Sequence, residues 1–153
     1  MMTLAETILM TQIGYENLLA RITEKEKEYD QVRDHRQVAF ELSGDGWHDN
    51  PEFNRMQQLE ANLNHTLKTL NDRLDVMKFI DIHDGMRNVQ QVEIGSIVKL
   101  RRYDLADDSE IEEIWEIRGV DETNIKLKHF AYHEPLAEKI MHLHVADIAE
   151  EVQ

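Results

Sequence analysis

Two aspartates four residues apart, Asp45 and Asp49, sit in the stretch Gly44-Asp45-Gly46-Trp47-His48-Asp49-Asn50-Pro51-Glu52. Carboxylates in a short glycine-containing segment can carry charge or oxygen ligands into whatever the segment enters. His48, Asp49 and Glu52 together offer nitrogen and oxygen donors, a set that suits a small metal site. That spacing is not diagnostic, and a solvated histidine is the ordinary alternative. Asp also populates turns for backbone reasons alone. Glu52 falls where a helix would begin, a place that favours negative charge. Trp47 has little to bury it in a turn far from a core. It either folds back over Phe40 or Phe53 or anchors in a partner's cavity, where tryptophan is frequent. His142-x-His144 is a weaker candidate donor pair.

The elements around this stretch are helical. Tyr15, Leu18/Leu19, Ile22, Tyr29, Val32, Arg36 and Ala39/Phe40 recur at threes and fours, with the charged run Glu24-Lys25-Glu26-Lys27-Glu28 between them. After the break, Met56, Leu63, Leu70 and Met77 repeat every seven residues, interleaved with Leu59, Leu67 and Leu74. This is a heptad-like seam, narrow enough for one partner helix to cover. The helix before it is the obvious partner. Arms of roughly 30 residues would each span roughly 45 Å at ~1.5 Å per residue. The glycines, Asn50 and Pro51 turn the chain, with Asn50 as the N-cap and Pro51 in the first turn of the returning helix. The expectation is an antiparallel hairpin with acids at its tip. Arg33, Arg36 and Arg55 lie toward the tip half, where pairing along a solvated helix is their ordinary role.

The periodicity stops near Asp84-Gly85. Residues 86–91 read as a polar connector. Residues 94–100, 111–117 and 125–130 read as strands of a half-buried antiparallel sheet, with 103–110 as an acidic hairpin loop. Residues 135–141 read as a short helix with Pro135 first. The predicted fold is α+β: a hairpin over 1–84 with its tip at 44–52, a linker at 85–91, and a globular domain over 92–153.

Composition bounds the function. Lys+Arg number 17 against 31 Asp+Glu, a net charge of −14. That argues against affinity built on neutralising phosphates, and suits a basic protein partner, a bound cation or plain solubility. The absence of cysteine excludes disulfides and thiolate metal sites, and suits the cytoplasm. No apolar run approaches the ~18 residues of a membrane span. No basic region precedes an apolar stretch at the N-terminus, so no signal peptide is expected. There is no phosphate loop, dinucleotide fingerprint or HExxH, so no independent enzymatic activity is expected.

Three stretches carry a family resemblance. Met10-Thr11-Gln12-Ile13-Gly14-Tyr15-Glu16-Asn17-Leu18 looks like an opening M-T-x-x-G-Y-x-x-L. Gly44-Asp45 through Asp49-Asn50-Pro51-Glu52-Phe53 looks like G-D-L-S-E-N-A-E-Y. Trp115-Glu116-Ile117-Arg118-Gly119 and Tyr132-His133-Glu134-Pro135-Leu136-Ala137 look like I-V-G and S-P-L-A. In order and spacing these resemble the Gre family of bacterial transcript-cleavage factors.

The resemblance implies an antiparallel coiled coil joined to a globular domain like an FK506-binding protein. It implies a cytoplasmic accessory factor, expected as a monomer, whose partner is bacterial RNA polymerase. The globular domain, through Glu134, Pro135, Leu136 and Ala137, would dock at the rim of the secondary channel. The coiled coil would enter the channel, with Trp47, His48 and Glu52 in contact near the tip. Asp45 and Asp49 would help hold a Mg²⁺ at the polymerase active site, so the ion is expected only in that complex. Arg33, Arg36 and Arg55 would be candidates for contact with transcript RNA near its 3′ end. The tip departs from the family motif. It is one residue longer, its acids are four positions apart rather than three, and the second is Asp rather than Glu. Glu134 replaces the family's serine, and typical members continue with about two more strands after the Pro-Leu-Ala helix; the two expectations are a smaller sheet or a diverged ending. Two other readings accompany the cleavage factor: a channel-occupying regulator without cleavage, and a coiled-coil adaptor.

Overall fold

The computed structural model describes residues 6–149. The chain divides into two compact units, one spanning residues 18–76 and the other combining residues 6–17 with the chain from 77 onward.

The first unit is the expected helical hairpin. Helix α1 (Gln12–Ser43) and helix α2 (Pro51–Val76) are joined by a 3-10 turn over Gly44–Asp49. Ile22 and Ala39 on α1, and Phe53, Met56 and Leu70 on α2, are buried along the seam. Leu63 is half-buried between them. The heptad reading holds for Met56, Leu63 and Leu70 and fails at two places. Leu59 is 38% exposed, because a single antiparallel partner covers only a narrow stripe. Met77 has left the helix for strand β2 (Met77–Phe79).

The second unit corrects the predicted domain boundaries. Strand β1 (Ile8–Met10) pairs in parallel with β2, in the register Ile8↔Met77 to Met10↔Phe79. Thr11 starts α1, its Oγ1 accepting from the Gly14 N–H at 3.3 Å. Val120 N–H donates to Leu9 O at 2.9 Å, and Leu9 N–H to the Tyr132 hydroxyl at 3.1 Å. Tyr15 meets Phe79 edge-on at 5.3 Å, and Asn17 Nδ2 donates to Asp121 O at 3.0 Å. Residues 6–17 and 77–84, expected in the hairpin, therefore pack with the globular unit. The predicted linker is also part of that unit. Arg87 donates to Gly95 O at 2.7 Å and to Glu116 at 2.5 Å, while Ser96 Oγ donates to Asn88 O at 3.0 Å.

Strands β3 (Ile97–Asp104) and β4 (Ser109–Arg118) form an antiparallel hairpin, with Val98 opposite Trp115. Residues 94–96, read as strand, instead form the approach to β3. The acidic loop is tight, with Asp108 in the left-handed region at φ 56. The third strand is shorter than predicted. Asn124 accepts from the Lys126 and Leu127 N–H groups and caps a 3-10 turn over Ile125–Leu127, and Lys128 turns left-handed at φ 57. Only His129–Ala131 remains as β5, and it runs parallel to β4. Helix α3 (Pro135–Glu138) begins at Pro135 as expected and ends early. Trp115, Ile117, Phe130 and Ala137 form the core here, with Val98, Leu100 and Leu136 packed against them.

Candidate functional site at the hairpin tip

The tip is built by the two helices that meet there. Asn50 caps α2 as expected, its Oδ1 accepting from the N–H groups of Glu52 at 2.9 Å and Phe53 at 3.4 Å. Its Nδ2 reaches the other way, donating to Ala39 O at 3.2 Å and to Ser43 Oγ. Ser43 Oγ donates in turn to Ala39 O at 2.6 Å. One carboxamide thus satisfies two donors at the start of α2, which helix ends leave without intrahelical partners, and ties them to a carbonyl near the end of α1. Spacing alone showed the cap; the reach back to α1 needs the two helices side by side.

Trp47 folds back. Its ring lies 6.0 Å from Phe40 and 5.4 Å from Phe53, and these two are 5.9 Å apart. The indole is half-buried in a small aromatic cluster drawn from both helices. The exposed His48 ring lies 3.9 Å from it.

Asp45 and Asp49 are both exposed. Neither has a hydrogen-bond or ion-pair partner among the described residues. The turn contains a non-helical residue at Gly46 (φ −91, ψ 17), and Gly44 has φ +54. In a regular 3-10 helix, residues three apart eclipse and residues four apart are offset by about 120°. The tip therefore offers two free carboxylates, with the backbone setting the direction in which each side chain leaves the turn.

Glu52 is engaged elsewhere. Arg55 Nη2 lies 3.0 Å from its carboxylate, and His35 Nε2 lies 3.3 Å away across the hairpin. The hydrogen bond from Arg55, with the nearby positive charges, holds the Glu52 carboxyl below its usual range. Among the described residues no group of three or more His, Asp or Glu is arranged to hold a metal, so His48, Asp49 and Glu52 do not form the mixed-ligand site their spacing allowed. His144 instead faces Asp147 at 3.7 Å.

The arginines differ from one another. Arg55 pairs along its own helix with Glu52, as expected. Arg36 crosses the hairpin to Glu60 at 2.9 Å, which helical spacing could not show. Arg33 lies over the Tyr29 ring at 5.7 Å. In the other unit, Glu134 precedes α3 without a side-chain cap, Pro135 is exposed, and Leu136 is half-buried. Ala137 is 0% exposed and belongs to the core, so its role at that position is packing.

Fold and tip together define an α+β protein: a long helical hairpin displaying two free carboxylates, followed by a small sheet unit. No family model and no curated protein matches the chain. Solved structures do. The GreA factor homolog 1 (Gfh1) protein of Thermus thermophilus is 18% identical with a TM-score of 0.47, covering 94% of this chain and 88% of that one. A structure described as the transcription factor Gfh1 is 19% identical with a TM-score of 0.49, covering 94% and 87%. Thermus aquaticus Gfh1 is 18% identical with a TM-score of 0.48, covering 95% and 88%.

Proposed function

We propose that this chain is a Gre-type accessory factor that binds bacterial RNA polymerase, places its hairpin in the secondary channel and stimulates cleavage of backtracked RNA. The carrying observation is the pair Asp45 and Asp49, exposed and without partners on the turn of a hairpin whose helices run 32 and 26 residues. The three motif resemblances supply the partner. Free carboxylates are hard oxygen donors, and Mg²⁺ commonly takes only one or two of them beside substrate oxygens. Asp45 and Asp49 are thus suited to complete a site that the polymerase holds loosely. When bound there, Mg²⁺ would supply charge stabilisation of the attacking and leaving oxygens in phosphodiester hydrolysis. The chain itself orients the two carboxylates and carries no complete active site. Arg33, whose guanidinium has no carboxylate partner among the described residues, is the arginine best placed to meet transcript phosphate. Pro135 is exposed and Glu134 and Leu136 are half-buried, so these three are the accessible part of the docking segment.

The test is a polymerase stalled in a backtracked complex with 5′-labelled RNA. Adding this protein with Mg²⁺ is expected to shorten the RNA, and RNA that stays full length rules out cleavage stimulation. One observation favours a second reading. The two aspartates lie four residues apart with the non-helical Gly46 between them, rather than three apart on one regular 3-10 turn, where side chains eclipse. A tip so arranged fits a factor that occupies the channel without supporting cleavage. That reading expects slower nucleotide addition with intact RNA, relieved when residues 44–50 are removed.

A further inference from the structure

We infer that Asn50 is the positioning residue of the tip: its carboxamide locks the end of α1 to the start of α2 and thereby fixes where Asp45 and Asp49 point. The inference rests on the proposed role of the tip as the working end.

Asp45 and Asp49 have no partner side chains to orient them. Their directions follow the backbone of the six-residue turn. Nothing packs within 4 Å of where a side chain would start at Gly44 or Gly46, so those positions add no restraint. Restraint comes from three places, one of them Asn54, whose Nδ2 donates to His48 O at 3.4 Å. Trp47 pins the middle of the turn against Phe40 and Phe53. Asn50 pins its ends. The Oδ1 holds the Glu52 and Phe53 N–H groups, the Nδ2 holds Ala39 O and Ser43 Oγ, and the Asn50 N–H donates to Trp47 O at 3.3 Å. Ser, Thr and Asp serve as N-caps by accepting hydrogen bonds. Capping therefore does not require the amide nitrogen, and the reach to α1 does. Asn is the side chain here that accepts toward one helix while an NH₂ group donates toward the other.

This difference separates the two roles. Asn50→Asp keeps the acceptor for α2 and removes the donor to Ala39 and Ser43; Asn50→Ala removes both. The first measurement is nitrogen-15 NMR on the full chain, following the amides of Asp45 and Asp49 and the Trp47 indole. In Asn50→Asp these signals are expected to shift and broaden while the Trp115 indole stays in place. The second is the titration of each variant against stalled polymerase. The maximal cleavage rate is expected to fall roughly tenfold to hundredfold, the usual effect of losing a supporting partner. The half-saturating concentration is expected to stay the same, because docking lies in the other unit.

An Asn50→Asp protein with wild-type tip signals and wild-type cleavage overturns the inference, leaving Asn50 as a helix cap. Tip signals that move while cleavage is unchanged also overturn it. So does lost cleavage with an unchanged tip, which the added carboxylate alone would explain. If Asn50→Ala fails to fold, Asn50→Asp still decides. If the wild-type protein leaves the polymerase unaffected, the proposed function fails, and the tip signals alone decide whether Asn50 is the lock.

Discussion

Gly14 lies directly against the carbonyl of Val120: a Cβ added at residue 14 would sit 2.4 Å from that oxygen. The first turn of α1 is thereby seated on the backbone that follows β4. Met10, Thr11, Tyr15 and Asn17 complete the seat through burial, capping, a ring contact and a hydrogen bond. The opening motif is thus a packing device of the globular unit.

Gly14→Ala should therefore force the helix start and the Val120 backbone apart. Overpacking of this kind costs about 1–3 kcal/mol. Chemical denaturation followed by Trp115 fluorescence in a Trp47→Phe background should show the loss. An unchanged midpoint would mean that the two segments separate freely.

On the proposed function, Asp45→Asn and Asp49→Asn should impair cleavage stimulation without weakening the fold. Both carboxylates are exposed and make no internal bond, and such surface changes usually stay within about 0.5 kcal/mol. Melting should match wild type while cleavage of stalled complexes falls by at least roughly tenfold, as for a lost metal-site group. Full cleavage in the double variant would remove these residues from the mechanism.

Trp47→Ala should loosen the tip. A fully buried tryptophan is worth ~3–5 kcal/mol, and a half-buried one should cost about 1–2 kcal/mol. Hydrogen exchange should rise at residues 44–53 and stay at wild-type levels in β3 and β4. A variant with unchanged exchange at the tip would return Trp47 to the role of a partner anchor.

Acid should weaken the globular unit through Glu116. Burial pushes its carboxyl up, but the Arg87 hydrogen bond and the charges of Arg118, Arg87 and His129 outweigh burial and leave it below the ordinary value of 4.5. The folded state therefore binds this proton less tightly than the unfolded state. The stabilisation is complete above about 4.5 and is lost as pH falls through the folded value. Urea midpoints measured from pH 7 to pH 3 should decline below about 4.5. Glu116→Gln should make that decline shallower, and an unaltered slope would show that the cluster contributes nothing to it.

The hairpin, its break and the Asn50 cap were legible in the sequence because each is local. Helical periodicity repeats every few residues, and turn formers act on their own backbone. The fate of Trp47 was legible as two alternatives, since Phe40 and Phe53 lie within reach along the chain. The lengths of β3 and β5 were less so. Asn124 and Lys128 together cut the third strand short, and β5 joined β4 in parallel, a direction that alternation along one strand does not reveal.

The sequence by itself determined that two helices reverse at an acidic turn, because residues close along the chain carry that instruction. Tertiary structure alone decided that β1 pairs with β2 and draws residues 6–17 into the globular unit. It alone decided that Arg36 crosses to Glu60 and that Asn50 holds Ala39. Each of these joins groups brought together only when the chain folds back, and the register of such pairings is set by packing across space rather than by any repeat along the chain.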